Sequence, residues 1–255
     1  MMKIWNDLRR RLGVAAGALI ALGLPAAAAD CARMDHDGQG YVVCTVHADE
    51  EPKLGLWLND ADGRKLNNFG GVRSTLTDGQ VLAFAMNAGM FHADYEPVGL
   101  FRSGSETHGK LVTAGGGGNF GLLPNGVFCT GGSAPFRVIE SRAFAKSQPQ
   151  CRLATQSGPM LVIDGDLHPR FLVDSDSRYI RNGVGVSADG DTAWFAISDR
   201  PVTFHEFGRL FRDGLKARDA LYFDGSISRL YAPQLRRNDF GWSMGPIIGL
   251  VDGAS

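Results

Sequence analysis

No apolar run in this 255-residue sequence reaches the roughly 20 residues that span a bilayer; the stretch at residues 12–24 stops short. Dense basic runs are scarce too. Past Lys3, Arg9, Arg10 and Arg11 only "LRR" around Arg236 and Arg237 remains, which argues against nucleic acid or an anionic membrane surface as partner. The four cysteines form no C-x-x-C, so zinc and thiol-redox chemistry lack their usual spacing. The six histidines contain no H-x-x-x-H pair, and Ser157 in "TQSGP" does not stand in G-x-S-x-G.

Glycine is plentiful, yet the nucleotide loops are absent. Gly115 to Gly118 run into Asn119-Phe120 where a P-loop needs Lys-[Ser/Thr]. No helical pattern follows, only the turn Pro124-Asn125-Gly126, so a dinucleotide fingerprint fails as well. Two readings stay open for this run: a plain inter-strand loop, or a site loop where bare backbone approaches a ligand. The acidic turns "DHDG" and "NDADG" lack the first ligand and closing Glu of an EF-hand. "DSDSR" (174–178) offers oxygen ligands without specifying a site. No cofactor is expected, and a divalent cation such as calcium is left unspecified.

What is present begins with an export signal. Basic residues precede the apolar run, and Ala27-Ala28-Ala29 offers an A-x-A cleavage site before Asp30. Asp30 stands where a lipoprotein would carry a small residue before Cys31. The expectation is a signal peptide at residues 1–29 and one soluble domain at 30–255, periplasmic or secreted. Cleavage would lower Lys+Arg from 26 to 22 and Asp+Glu from 27 to 26, a formal charge of −4. Four cysteines, Cys31, Cys44, Cys129 and Cys151, allow three pairings. The sequence-local one, Cys31–Cys44 with Cys129–Cys151, is expected, as suits an oxidising compartment.

Short apolar segments between glycines predict many strands: "YVVCTVH" (41–47), "LGLWL" (54–58), "VLAFAM" (81–86), "PMLVI" (159–163), "ALYF" (220–223), and a hairpin of "GVGVS" and "TAWFAIS" about "ADGD". One helix stands out. Thr203 and Glu206 have capping-box spacing, and Phe204, Phe207, Leu210, Phe211 and Leu215 recur on one face. The fold class is α+β: a strand-rich domain with a mixed or antiparallel sheet and a few packed helices. Trp57, Trp194 and Trp242 sit in apolar contexts that read as core. His92 reads equally as pocket, core or solvent.

Polar residues recur on turns just past apolar strands: Asn87, Ser157, Arg181 with Asn182, and Asp224 with Ser226 and Ser228. Each alone is a common turn former. Together they describe one pocket of carboxylate, guanidinium and hydroxyls, suited to a sugar or phosphate.

At these residues the sequence resembles the phosphodiester glycosidase family, which includes the lysosomal uncovering enzyme and many exported bacterial relatives. The matching pieces are "NAGMF" with "PVGL" (87–100), "GNFGLLPNGVF" (118–128), "ATQSGPMLV" (154–162), "RNGVGVS" (181–187) and "ALYFDGSIS" (220–228). The uncovering enzyme's Leu-Asp-Gly-Gly-Gly-Ser becomes Phe223-Asp224-Gly225-Ser226-Ile227-Ser228, a stiffer loop that fits the bacterial branch. The resemblance implies a site of Asn87, Gly89, Ser157, Gly158, Arg181, Asp224, Gly225 and Ser228, and hydrolysis of a glycosidic bond to a phosphodiester. Asp224 then acts as base or nucleophile and Arg181 contacts phosphate, with Arg178 and Arg142 as helpers and Gly118 and Asn119 bordering the ligand. Two rival readings stand beside it: a glycan-binding protein that uses the same pocket without turnover, and an enzyme that cleaves a related bond within an envelope glycan.

Overall fold

In the computed structural model, residues 30–253 are described; the expected signal peptide lies outside them. Alternation along the strands sorts side chains between two environments. In β2 (Gln39–His47), Val42, Cys44 and Val46 enter a central core, whereas Tyr41 and Val43 face the opposite side. In β14 (Asp219–Asp224), Leu221 and Phe223 point inward, and Ala220 and Tyr222 outward. Both faces are covered, which is why these strands read as continuous apolar runs rather than as alternation.

Three antiparallel sheets surround that core. The first has seven strands, in the order β1 (Asp30–His36), β2, β13 (Thr192–Ser198), β12 (Asn182–Val186), β14, β10 (Met160–Ile163) and β11 (Asp166–Leu167). The second runs β16 (Arg237–Asn238), β15 (Leu230–Ala232), β4 (Val81–Asn87), β17 (Ile247–Asp252) and β3 (Leu54–Trp57). The third runs β6 (Glu106–His108), β5 (Phe101–Ser103), β9 (Leu153–Ser157), β7 (Gly126–Thr130) and β8 (Phe136–Glu140). A phenylalanine from each sheet meets the others at the centre. Phe195 lies 5.3 Å from Phe84 and 5.6 Å from Phe128, centroid to centroid. Burial of each such ring stabilises the fold by about 1.5–3 kcal/mol.

One short helix covers the outer face of each sheet. Helix α1 (Phe69–Ser74) packs Phe69 and Val72 on Leu82, Ala85 and Ile247. Helix α2 (Ser141–Ser147) packs Phe144 on Val127 and Ala154. Helix α3 (Phe204–Arg209) continues into a π-turn (Leu210–Gly214) and lays Phe207, Leu210 and Phe211 on Tyr41, Val43 and Tyr222. Its expected capping box is formed. The Thr203 amide donates to Glu206 Oε2 at 2.8 Å, and the Glu206 amide donates to Thr203 Oγ1 at 3.1 Å.

The fold is strand-rich with antiparallel sheets and few helices, which resolves the open choice between mixed and antiparallel. Both disulfides form in the sequence-local pairing. Cys31 and Cys44 stand directly opposite each other on β1 and β2. Among the described residues no helix is long and apolar enough to cross a membrane.

Candidate active site

The three sheets meet at the ends of β4, β9, β12 and β14, and most of the expected polar residues are found there. Asn87 ends β4 and Asn182 begins β12, and their side chains clasp each other across the junction. Asn182 Nδ2 donates to the Asn87 carbonyl at 2.8 Å, and Asn87 Nδ2 donates to Asn182 Oδ1 at 3.1 Å. Asn87 Oδ1 accepts from the Arg229 amide at 3.0 Å. Both asparagines are fully buried, so this pairing avoids orphaned amides at the seam between sheets. Ser157, at the end of β9, donates its hydroxyl to the Phe223 carbonyl at 2.8 Å. The third sheet is thereby tied to the strand that carries Asp224.

Asp224 is the last residue of β14 and pairs in register with Asn182. Its Oδ1 accepts from the amides of Gly225 at 2.6 Å and Ser226 at 2.8 Å. The carboxylate is 7% exposed and has no cationic partner among the described residues. Burial pushes its pKa above the ordinary carboxylate range, and the amides of Ser226, Gly225 and Ile227 only partly oppose this. Ser228 Oγ lies 2.8 Å from the Asp224 carbonyl, 2.9 Å from that of Ile180 and 3.2 Å from Asn182 Oδ1, so it fastens the turn back to the clasp. Two glycines permit this closeness. A Cβ at Gly158 would stand 2.6 Å from Asn125 Cβ, and Gly89 adopts φ +150 against Thr155 and Gln156.

In front of the turn opens a cleft of about 650 Å³ lined by Gly225, Ser226, Ser228, Arg229, Phe240 and Trp242, among others. A second cavity of about 340 Å³ adjoins it, sharing Arg229, Asp239, Phe240 and Gly241. Phe240 and Trp242 are 86% and 82% exposed. This corrects the reading of Trp242 as core, although Trp57 and Trp194 do pack against core clusters. Gly241, at φ +137, sits between the two rings and turns that short segment outward.

The arginines sort differently from expectation. Arg181 is not open to the cleft. It has no exposed surface, and its guanidinium carbon lies 3.7 Å from the Phe204 ring centroid and 5.3 Å from those of Tyr179 and Tyr222. Its Nε donates to the Val202 carbonyl at 2.8 Å and Nη2 to that of Ser177 at 3.0 Å, while Nη1 is unpaired. The phosphate contact expected of Arg181 is therefore absent from this geometry, because an aromatic cage encloses the group. It lies instead behind the turn: a Cβ at Gly225 would overlap the Tyr222 hydroxyl. Arg178 closes its fork on Glu206, both contacts at 2.9 Å. Arg142 donates to the Thr113 carbonyl at 3.2 Å, near the glycine run rather than Asp224.

Gly115 to Asn119 are exposed, and the run reaches the site only through Phe120. The Phe120 carbonyl accepts from Asn125 at 3.2 Å, beside Gly158. Gly118 and Asn119 are thus peripheral, and His92 is exposed. Among the described residues no group of three or more His, Cys, Asp or Glu is arranged to hold a metal ion.

The residue that sequence reasoning missed is Arg229. It is 7% exposed and lines both cavities. The only signal available was its place, one residue past "ALYFDGSIS".

Comparison with known proteins places this geometry in context. The chain is 29% identical over 234 residues to YigE of Escherichia coli strain K12, a protein described as uncharacterized, covering 92% of this chain and 89% of that one. It shares its fold with the zebrafish N-acetylglucosamine-1-phosphodiester α-N-acetylglucosaminidase catalytic domain, auto-inhibited by its pro-peptide. That match has a TM-score of 0.55 at 12% identity and covers 86% of this chain and 81% of that one. A family model described as phosphodiester glycosidase matches residues 80–246, the span that holds Asn87, Ser157, Asn182 and the Asp224 turn. The chain belongs to the phosphodiester glycosidase family.

Proposed function

We propose that this protein is an exported hydrolase that cleaves the glycosidic bond of a sugar 1-phosphodiester, with Asp224 as base or nucleophile. The supporting observation is the Asp224 carboxylate itself, desolvated, paired with no cation among the described residues and held by backbone amides at the head of the turn, Gly225 to Ser228, that lines a polar cleft. A buried acid without a salt bridge costs stability, and such groups cluster where chemistry is done. As base, Asp224 takes the proton of the water that attacks the anomeric carbon. As nucleophile, it attacks that carbon itself, and water then releases the sugar. Either way the bond between the anomeric carbon and its oxygen breaks, and the electron pair leaves with the phosphate, which departs as the monoester of the second alcohol. That leaving group is a weak base and needs less help from an acid than an alkoxide does, so one carboxylate suffices where ordinary glycosidases use two. Arg181 lies behind the turn, against the Tyr222 ring whose hydroxyl packs on Gly225. The two disulfides fit an oxidising compartment, in keeping with export.

A second reading is favoured by the exposed Phe240 and Trp242, since aromatic faces beside a polar cleft also suit a glycan-binding protein without turnover. One experiment separates the two. Purified protein is incubated with a panel of sugar 1-phosphodiesters and envelope glycans, and products are identified by mass spectrometry. Release of free sugar by wild type and not by Asp224→Asn supports the hydrolase. Saturable binding with no product over hours supports the binder.

A further inference from the structure

We infer that Arg229 grips the phosphate of the substrate, at the junction of two subsites: the glycosyl unit beside the Asp224 turn and the leaving-group alcohol in the cavity beyond. The inference rests on the sugar 1-phosphodiester reading above and names how that substrate is laid out.

The charges of the cleft single out Arg229. Two arginines line the larger cleft, and Arg237 is neutralised. It donates to Asp199 at 2.9 Å and to Asp239 at 3.0 Å. Asp239 also accepts the Leu230 amide at 3.0 Å, so its oxygens are engaged. Arg229 has no such partner. Its backbone amide is anchored on Asn87, but its guanidinium makes no ion pair or hydrogen bond with any described residue. It packs beside Gly241, where a Cβ would stand 2.7 Å from Nη2. Burial lowers its pKa, and only Asp239 nearby opposes this. A guanidinium remains charged even so, and one that is buried with its donors unpaired in the wall of a cleft suits an anion.

Position supplies the rest. Arg229 follows directly on Ser228, which is fastened to the Asp224 carbonyl, so its attachment to the catalytic turn is short and rigid. It forms part of the wall of both cavities. The larger one carries the turn and Trp242 and suits a sugar ring. The smaller one sets Phe69, Tyr231 and Met244 against Asn68, Asn238 and Arg73, a half-apolar, half-polar lining. That lining fits a substituted alcohol better than a bare methyl group. A phosphodiester puts a fixed negative charge between two such groups.

The test uses calorimetric titration of purified protein carrying Asp224→Asn, which binds without turnover. The probes are the methyl and benzyl diesters of α-glucose 1-phosphate and the uncharged benzyl α-glucoside. The benzyl diester is expected to bind at least tenfold more tightly than the neutral glucoside. Adding Arg229→Gln is expected to remove about 10–100-fold of diester affinity, as for a lost charge-assisted hydrogen-bonded pair, and to leave the glucoside within twofold. Arg229→Lys, which keeps the charge and the fold should Gln disturb it, is expected to fall between. Tyr231→Ala is expected to weaken the benzyl diester several-fold and the methyl diester less than twofold. A diester that binds no better than the glucoside, or one indifferent to both Arg229 variants, overturns the proposal. Hydrolysis by wild-type Asp224 protein is measured in parallel. Arg229-dependent binding without turnover would sink the hydrolase and leave this assignment standing, and turnover indifferent to Arg229 would do the reverse.

Discussion

The floor and the rim of the cleft are built on opposite principles. On the floor, Asn87, Asn182, Ser157 and Ser228 hydrogen-bond to one another and to backbone across the ends of three sheets, with little exposure. On the rim, the Arg229 guanidinium makes no ion pair or hydrogen bond among the described residues, and Phe240 and Trp242 stand in solvent. Asp224 lies between, fixed by amides yet uncompensated in charge. The floor therefore has no unmet demand and serves stability and precision. The rim has unmet demands of charge and apolar surface, which a ligand would meet.

The sharpest test of that division is Asp224→Asn. It is expected to lower hydrolysis about 10²–10⁴-fold, the usual worth of a positioned acid or base. It should not lower stability at neutral pH, because Asn keeps the acceptor for Gly225 and Ser226 and removes a desolvated charge. The sign follows from the raised pKa. The folded state holds this proton more tightly than the unfolded chain. Wild-type stability therefore falls as pH rises from the unfolded carboxylate value of about 4 through the raised one. Melting curves of the two proteins should converge in acid and separate above that window, with Asn at or above wild type. An Asn variant that melts several degrees lower at neutral pH would mean the charge is compensated after all.

Next in size is the floor. Asn182→Ala removes the partner of both polar groups of Asn87 that face it and is expected to cost about 2–4 kcal/mol in urea unfolding, as buried groups left unsatisfied do. Gly158→Ala is expected to cost about 1–3 kcal/mol, since the new methyl must displace Asn125. At the rim, Trp242→Ala should change stability by less than about 0.5 kcal/mol. Its effect belongs in KM, several-fold upward with kcat unchanged, the pattern of lost uniform binding. Equal destabilisation at Asn182 and Trp242 would erase the distinction between floor and rim.

Much of this was legible from residue order alone. The strand at 41–47, the hairpin about "ADGD" and the Thr203 cap all carry local signals, and each is found where those signals put it. Helix α3 is shorter than its apolar stripe because the chain passes into a π-turn at Leu210. Strand β17 lies between β4 and β3, and nothing local names partners that far back in the chain. The site divides in the same way. The residues at strand ends, Asn87, Ser157, Arg181 with Asn182, and Asp224, were visible as polar groups on turns beside apolar runs. The caging of Arg181, the place of Arg229 and the exposure of Trp242 were not, since an arginine or tryptophan in a mixed segment looks the same whether caged or free.

The sequence by itself determined the strand-rich character, the capped helix and the acidic turn after β14, and it favoured the local pairing of cysteines among three. These follow from spacing, alternation and the local hydrogen-bonding habits of Asp, Gly and Thr. Only the tertiary structure decided which cation faces the cleft. Desolvation and pairing are properties of surroundings, and here the surroundings come from afar: Asn87 and Asn182 meet across 95 residues, and Arg237 meets Asp199 across 38. That is why Arg181, marked by its motif, is enclosed by rings, while Arg229, marked by nothing local, lines the cleft beside the turn that follows Asp224.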